Sequence, residues 1–224
     1  MTEAFDIVRH ARARRAKLSV DPASGRVRLT LPPRASVRAA LRWAEGHRDW
    51  IAAQRAKLPR PIPFLPGTTI PFDDGTLAIA WGADAPRRAI RDGDRLVCGG
   101  PIENVPSRAT VWLRREALRV LSDETAEFAA RAGVCVTQVA VGDARARWGS
   151  CASSGAIRYS WRLILAPRFV RRATVAHEVA HRVHMNHGPA FHRLVAELDE
   201  RDPAESLAWL KRNGAGLHWF GRGS

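Results

Sequence analysis

A cluster of histidines around one glutamate is the part of this sequence whose residue types and spacing are suited to chemistry. Residues 177–181 read His-Glu-Val-Ala-His, and a third histidine follows at position 187. On a helix, residues four apart lie on one face, so His177 and His181 can bind the same metal ion. Three protein ligands with a fourth position left open for water are typical of a catalytic zinc site. The pattern therefore predicts one zinc ion per chain, held by His177, His181 and His187.

Glu178 has a different role in this pattern, because it lies beside a ligand without being one. Zinc lowers the pKa of a bound water from 15.7 to about 7, so that a nearby carboxylate can take its proton as a general base. The motif thus predicts a zinc-dependent hydrolase, and most readily a metallopeptidase that cleaves peptide bonds through a zinc-bound water activated by Glu178.

The third ligand requires the chain to turn back after the helix. Residues 185–189 read Met-Asn-His-Gly-Pro, and Asn, Gly and Pro together are a strong helix stop signal. His187 lies inside this predicted turn. His184 is the alternative third ligand, because it shares the helical face of His177 and His181. A helix followed by a turn surrounds a tetrahedral ion more readily than one continuous helix, so we favour His187 and place His184 beside the metal or in the pocket lining.

Further side chains are candidates for contacts with the ligands or with substrate. His192 lies in the helical segment after the turn, where the alternative is a surface histidine. Ser150 lies at a predicted strand edge that can bind an extended peptide, although its neighbours Trp148 and Cys151 can equally be packing residues. Three side chains are candidates for stabilising a developing oxyanion: Arg145, Arg147 and Tyr159.

Composition places the chain among globular proteins. It has 224 residues, of which 46% are hydrophobic, and its 3 cysteines form no Cys-x-x-Cys pair. This cysteine usage favours free thiols in a reducing cytoplasm. The sequence lacks an apolar run of membrane-spanning length and a secretory signal at its start, so we expect a cytoplasmic protein without membrane contact. It carries no signal for an oligomeric state.

The charge is strongly positive and unevenly distributed. The net charge is +14, and residues 1–60 contain 14 Lys or Arg against 5 Asp or Glu. Such an excess favours nucleic acid as a partner through electrostatic steering and counterion release. The alternative is the coding bias of a GC-rich genome, because only 3 of the 36 basic residues are Lys.

Periodicity and turn signals predict an α+β protein in two parts. The first, residues 1–100, is predicted as a β-rich module with one helix, which Ser36 caps and which runs to about Ala56, with Trp43 and Trp50 as candidate core residues. The proline-rich stretch 59–72 is the best candidate for an internal boundary. The second part, residues 101–224, is predicted as the catalytic domain. Its predicted elements are a helix over 107–132, a strand over 134–141, a hairpin over 145–165 and helices over 170–184, 190–199 and 203–213.

Four motifs together resemble one family of proteins. They are Arg147–Cys151, Ile157–Pro167, His177–His181 and Asn186–Phe191. In these motifs, and over most of its length, the chain resembles the YgjP-like metallopeptidase family, which is related to SprT-like and WLM-type zinc peptidases. The resemblance implies a zincin-like, minigluzincin catalytic core, zinc on the three histidines of the pattern, and Glu178 as the catalytic base. The chain departs from the family at His192, where a tryptophan usually follows the phenylalanine.

Three functions compete on this basis. The first is a zinc metallopeptidase with a peptide or protein substrate. The second is a zinc hydrolase of a nucleotide or another phosphoanhydride, because the same activated water can attack phosphorus and a basic surface suits an anion. The third is a nucleic-acid-associated protein with a structural zinc, which would need a fourth protein ligand such as His184 or His192.

Overall fold

Two units, Met1–Arg60 and Pro61–Ser224, make up the chain in the computed structural model, which describes residues 4–199 and 201–223. Strands dominate the first hundred residues and helices dominate the remainder. The predicted α+β class, with a β-rich N-terminal region followed by helices, is therefore confirmed. Among the described residues, no helix combines the length and the apolar content that a membrane crossing requires.

The first unit consists of a small sheet and two short helices. Strands β1 (Phe5–Arg9), β2 (Lys17–Val20) and β3 (Val27–Leu31) form a sheet in the order β1-β3-β2, with β1 and β3 parallel. Helices α1 (Val37–Glu45) and α2 (Arg48–Arg55) follow. The buried core of the unit consists of Leu29, Leu31, Ala40 and Ala44.

The structure corrects two details of this first unit. Ser36 caps α1 as predicted, accepting a hydrogen bond from the backbone N–H of Ala39. The predicted single helix is nevertheless two helices, because the backbone leaves the helical conformation at His47, directly after Gly46. The assignment of Trp43 and Trp50 to the core is wrong, since each side chain remains 40% exposed.

The second unit contains two sheets. Strands β4 (Thr69–Phe72), β5 (Gly75–Trp81), β6 (Ile90–Asp92) and β7 (Arg95–Cys98) form the first, in the order β4-β5-β7-β6. Strands β8 (Gln138–Gly142), β9 (Gly149–Cys151) and β10 (Ala156–Ser160) form the second, in the order β8-β10-β9. Since β9 and β10 are antiparallel, they form the predicted hairpin, and β9 is the last strand at one edge of its sheet.

Four helices complete the second unit: α3 (Val105–Ala132), α4 (Arg168–Ala180), α5 (Pro189–Leu198) and α6 (Pro203–Leu217). Helix α3 is long and buries Leu113, Leu121 and Phe128 in the core. It ends at Gly133, whose φ of 65° is the left-handed conformation that glycine adopts readily. Helix α4 carries the His-Glu-x-x-His motif and packs against α3, α5 and α6, so its position is fixed from several sides.

The division between the two units falls at Arg60 and Pro61, and not at residue 100, where the sequence pattern predicts the domain boundary. The physical reason lies in the core. Ile70, Leu77 and Leu96 from the first sheet of this unit belong to the same hydrophobic cluster as Leu113 of α3. Strands β4 to β7 therefore belong with the C-terminal helices. The observed division lies inside the proline-rich stretch that was expected to hold an internal boundary.

A buried ion pair holds α4 against α3. The Arg171 guanidinium donates to both carboxylate oxygens of Glu124 at 2.9–3.2 Å and to Asp73 at 3.1 Å. Arg171 is 2% exposed and Glu124 is 7% exposed, so this pair lies out of reach of water. The pair anchors α4 at Arg171, which lies nearly two helical turns before His177.

Candidate metal centre

The three histidines of the motif come from one helix end and the loop that follows it. His177 lies in the last turn of α4, and His181 is the residue at which that helix ends. Helix α4 is therefore shorter than predicted, because turns occupy residues 181–183. His187 lies in the loop before α5, which begins with Pro189. The predicted stop signal thus returns the chain toward the helix end.

The structure brings these three imidazoles together. One possible ligand atom from each of His177, His181 and His187 lies within 4.8 Å of those of the other two. The Nε2 atoms of His177 and His187 are 3.2 Å apart. Among the described residues, no other group of His, Cys, Asp or Glu side chains meets the same condition. The cluster can hold a metal ion.

Phe191 of α5 supports all three rings from one side. Its ring centroid lies 4.9 Å from that of His177, 4.6 Å from that of His181 and 4.7 Å from that of His187. Since Phe191 is only 1% exposed, it is a fixed apolar surface under the cluster. It orients the imidazoles and excludes water from one side of them.

His184 contributes its backbone to the cluster. Nδ1 of His181 lies 3.1 Å from the carbonyl oxygen of His184. A carbonyl can only accept a hydrogen bond, so Nδ1 carries the proton and leaves Nε2 of His181 as the available ligand atom. The His184 side chain is outside the cluster, and so is that of His192, which is exposed with its ring centroid 6.4 Å from that of His187.

Burial sets the protonation of Glu178 and His177. Glu178 is 6% exposed, and this burial raises the pKa of its carboxyl to about 7, although Arg147 opposes the shift. Burial, together with the neighbouring His181 and His187, lowers the pKa of His177 to about 4. The imidazole is therefore neutral at neutral pH, which is the form that binds a metal. Glu178 can both take up and release a proton near pH 7.

Gly149 makes room for the Glu178 side chain. A Cβ added at Gly149 would lie 2.5 Å from Oε1 of Glu178 and 2.6 Å from its Cγ. Such distances are too short for nonbonded atoms, so glycine at this position lets β9 pass directly against the carboxylate. The neighbouring Ser150 is half-buried and pairs with Arg158 of β10.

Gly149→Ala is expected to displace the Glu178 carboxylate and to lower any hydrolytic activity that depends on it by about 100-fold, the loss that a misplacement of about 1 Å can cause. The metal ligands remain in place, so metal affinity is expected to change little. Activity and metal titration on the purified variant check this. Gly188→Ala is the matched control, because a Cβ there meets no atom within 4 Å. Full activity in Gly149→Ala would contradict a role of Gly149 in positioning Glu178.

A cavity of about 240 Å³ opens beside the cluster. His177 and Glu178 form one side of it, and its other lining is largely apolar, with Trp148, Val195 and Leu210 among the residues. This volume is below the 300–1,000 Å³ typical of sites for drug-sized ligands. The cavity is therefore of a size to take one side chain of a larger substrate.

The remaining candidates lie in different surroundings. Tyr159 is buried, and its hydroxyl lies 3.0 Å from that of Thr125, so burial raises the pKa of Tyr159 and the phenol belongs to the core. Arg147 lines the cavity beside Glu178 and is exposed, as is Arg145. Sequence reasoning missed the supporting role of Phe191, although an apolar residue four positions after His187 was a usable signal. It also missed the contact between Gly149 and Glu178, for which the sequence carries no signal.

Comparison with known proteins agrees with this site. The profile of the YgjP-like metallopeptidase domain matches residues 14–213, which is most of the chain. No curated protein and no solved structure matches the chain. The matched segment contains the whole histidine cluster and Glu178, and the family implies an enzyme that uses a metal ion to hydrolyse peptide bonds. The chain belongs to the YgjP-like metallopeptidase family.

Proposed function

We propose that this protein is a zinc metallopeptidase with a zincin-like, minigluzincin core, in which one zinc ion per chain is held by His177, His181 and His187. The observation that carries the proposal is a buried glutamate that lines the same cavity as His177, one of three converging imidazoles. The family supports a metal-dependent peptidase, and the residues present support zinc and the roles given below.

The donor set fits zinc. Two nitrogens bound to one tetrahedral zinc at about 2.0–2.1 Å are about 3.3 Å apart, and the Nε2 atoms of His177 and His187 are 3.2 Å apart. Three imidazoles leave one of four positions open, which is the arrangement of catalytic rather than structural zinc sites. When bound, zinc would polarise the scissile carbonyl and lower the pKa of water in the site.

Glu178 moves the proton in this reaction. Its carboxylate accepts the proton of the attacking water and then passes it to the leaving amine, which requires a pKa near the working pH. The raised pKa of about 7 supports this role. Gly149 of β9 lies against this side chain and limits its movement on that side.

Strand β9 and the adjoining cavity support a peptide as the substrate. Because β9 is the last strand at one edge of its sheet, an extended peptide could add to it as a further strand. The apolar cavity beside Glu178 can then take a side chain next to the scissile bond. We expect cleavage to prefer substrates with an apolar residue next to the scissile bond.

The test of this proposal is hydrolysis by the zinc-loaded full chain. A mixture of peptides of defined sequence is incubated with the protein and cleavage is followed by mass spectrometry, in parallel with nucleoside triphosphates assayed for phosphate release. Peptide cleavage that stops on chelation and returns with zinc supports the metallopeptidase. Hydrolysis of the triphosphates alone would assign the site to a phosphoanhydride instead.

His187→Ala is expected to lose zinc affinity far more than His184→Ala, by at least 100-fold. Of these two residues, His187 is the one whose ring nitrogen belongs to the cluster. His184 contributes through its backbone carbonyl, which alanine retains. Competition for zinc with a chromophoric chelator measures both affinities. A larger loss in His184→Ala would identify His184 as the third ligand and reject His187.

A further inference from the structure

The first unit carries a surface groove that the proposed peptidase chemistry does not use. Its volume is about 680 Å³, and it lies where the loop after β1, strand β2 and the ends of the two helices meet. We call it the basic tryptophan groove. Its lining includes four cations and three aromatic rings: Arg12, Arg14, Arg15, Lys17, Trp43, His47 and Trp50.

Within the part of the chain that the structure describes, the four cations of the groove have no acidic partner. None of them forms an ion pair with any residue that the structure describes, and no Asp or Glu is part of the groove lining. By contrast, Arg28 in the same unit pairs with Asp6. Four positive charges in one concave surface raise the local concentration of an anionic ligand. The charge of the groove therefore favours an anionic ligand.

The two tryptophans are exposed where the hydrophobic effect alone would bury them. Each is 40% exposed, although α1 and α2 belong to a unit with a core of its own. His47 orients Trp43: the ring centroids are 4.5 Å apart, and Nδ1 of His47 lies 2.8 Å from the Trp43 carbonyl oxygen. Proteins that bind single-stranded nucleic acid combine exposed aromatic rings, on which unpaired bases stack, with cations that contact the phosphates.

We infer that the basic tryptophan groove binds single-stranded nucleic acid, with the tryptophan rings stacking on bases and the four cations contacting phosphates. A duplex is disfavoured because its bases are already stacked and cannot lie on the rings. A membrane surface is disfavoured because the rings line a concave groove and do not project from one apolar helix face. Stacking is tolerant of sequence, so the groove is expected to bind many sequences.

The test measures binding of the full chain to a fluorescent oligo-dT of 20 nucleotides and to the matching oligo-U by anisotropy, from low to moderate salt. We expect binding that weakens steeply with salt. In the variant Arg12→Gln/Arg14→Gln/Arg15→Gln, the slope of log affinity against log salt is expected to fall by about 2, since single strands contribute about 0.7 per phosphate contact.

A matched variant distinguishes binding in the groove from attraction by the overall positive charge of the unit. Arg26, Arg34 and Arg38 are exposed arginines of the same unit that do not line the groove. Their combined change to Gln removes the same charge and is expected to leave the salt slope nearly unaltered. An equal fall of the salt slope in the two triple variants would overturn the proposal, because it would show that only the overall charge of the unit attracts the oligonucleotide.

Stacking has its own test. Trp43→Leu and Trp50→Leu are each expected to weaken binding about tenfold at any salt concentration, within the range found for loss of one stacked base. Trp81→Leu is the control, because Trp81 is 41% exposed and lies outside the groove. No binding of either oligonucleotide at low salt, or binding only to anionic lipid vesicles, would reject the proposal. If the leucine variants do not fold, the test is quenching of tryptophan fluorescence by oligo-dT in the native chain. Quenching that is weaker in the Arg12→Gln/Arg14→Gln/Arg15→Gln variant supports the proposal, and an absence of quenching rejects it.

Discussion

Glu178→Gln is expected to lower peptide hydrolysis by about 10²–10⁴-fold while the protein retains its zinc. The amide has the size of the carboxylate but cannot take a proton from water, and general base catalysis is worth this much. Glu178 is not a member of the histidine cluster, so the ligands are untouched. Initial rates on a cleaved peptide, together with zinc content by elemental analysis, check both parts of the prediction.

Two controls make this result specific. Glu197→Gln on α5 changes an exposed glutamate of the same region and is expected to retain full activity. The thermal midpoint of Glu178→Gln is expected not to fall, because a neutral amide is less costly to bury than a carboxylate that is 6% exposed. Normal hydrolysis by Glu178→Gln would show that another group acts as the base.

Arg171→Met is expected to lower the free energy of unfolding by about 3–5 kcal/mol. The change leaves the Glu124 carboxylate buried without its partner, and breaking a buried pair from one side has this cost. Asp73, whose side chain is 49% exposed, can turn to water and suffers less. For a chain of this size the thermal midpoint should fall by about 6–20 °C. Urea unfolding followed by circular dichroism measures the change.

The neighbouring Arg172 provides the matched control. It forms an ion pair with Glu127 at 2.5 Å, but the two side chains are 20% and 47% exposed. Arg172→Met is therefore expected to cost about 0–1 kcal/mol, as surface pairs do. Adding Glu124→Gln to Arg171→Met removes the unpaired charge and should recover part of the stability. If Arg171→Met and Arg172→Met lowered the free energy of unfolding equally, burial would not be what makes the Arg171–Glu124 pair important for stability.

Local signals predicted much of the secondary structure. Ser36 caps α1 and Gly133 ends α3, because a cap depends on a few neighbouring residues. The hairpin of β9 and β10 was predictable for the same reason, because the turn that joins the two strands is a local feature of the sequence. The parallel pairing of β1 with β3 was beyond such reasoning, because strands separated in sequence choose partners only when the whole sheet forms. The core that joins β4–β7 to α3 was missed for the same reason.

The sequence by itself determined which residues form the candidate site. His177, Glu178 and His181 are fixed by helical spacing, and the Asn-His-Gly-Pro turn returns His187 toward them. These relations are local, because all four residues lie within one short stretch of the sequence. Only the tertiary structure decided what surrounds those residues. Gly149 lies against Glu178, and the two tryptophans of the first unit remain exposed, because each depends on which distant segments pack there. Packing between distant segments depends on the folded core as a whole, and no short stretch of sequence encodes it.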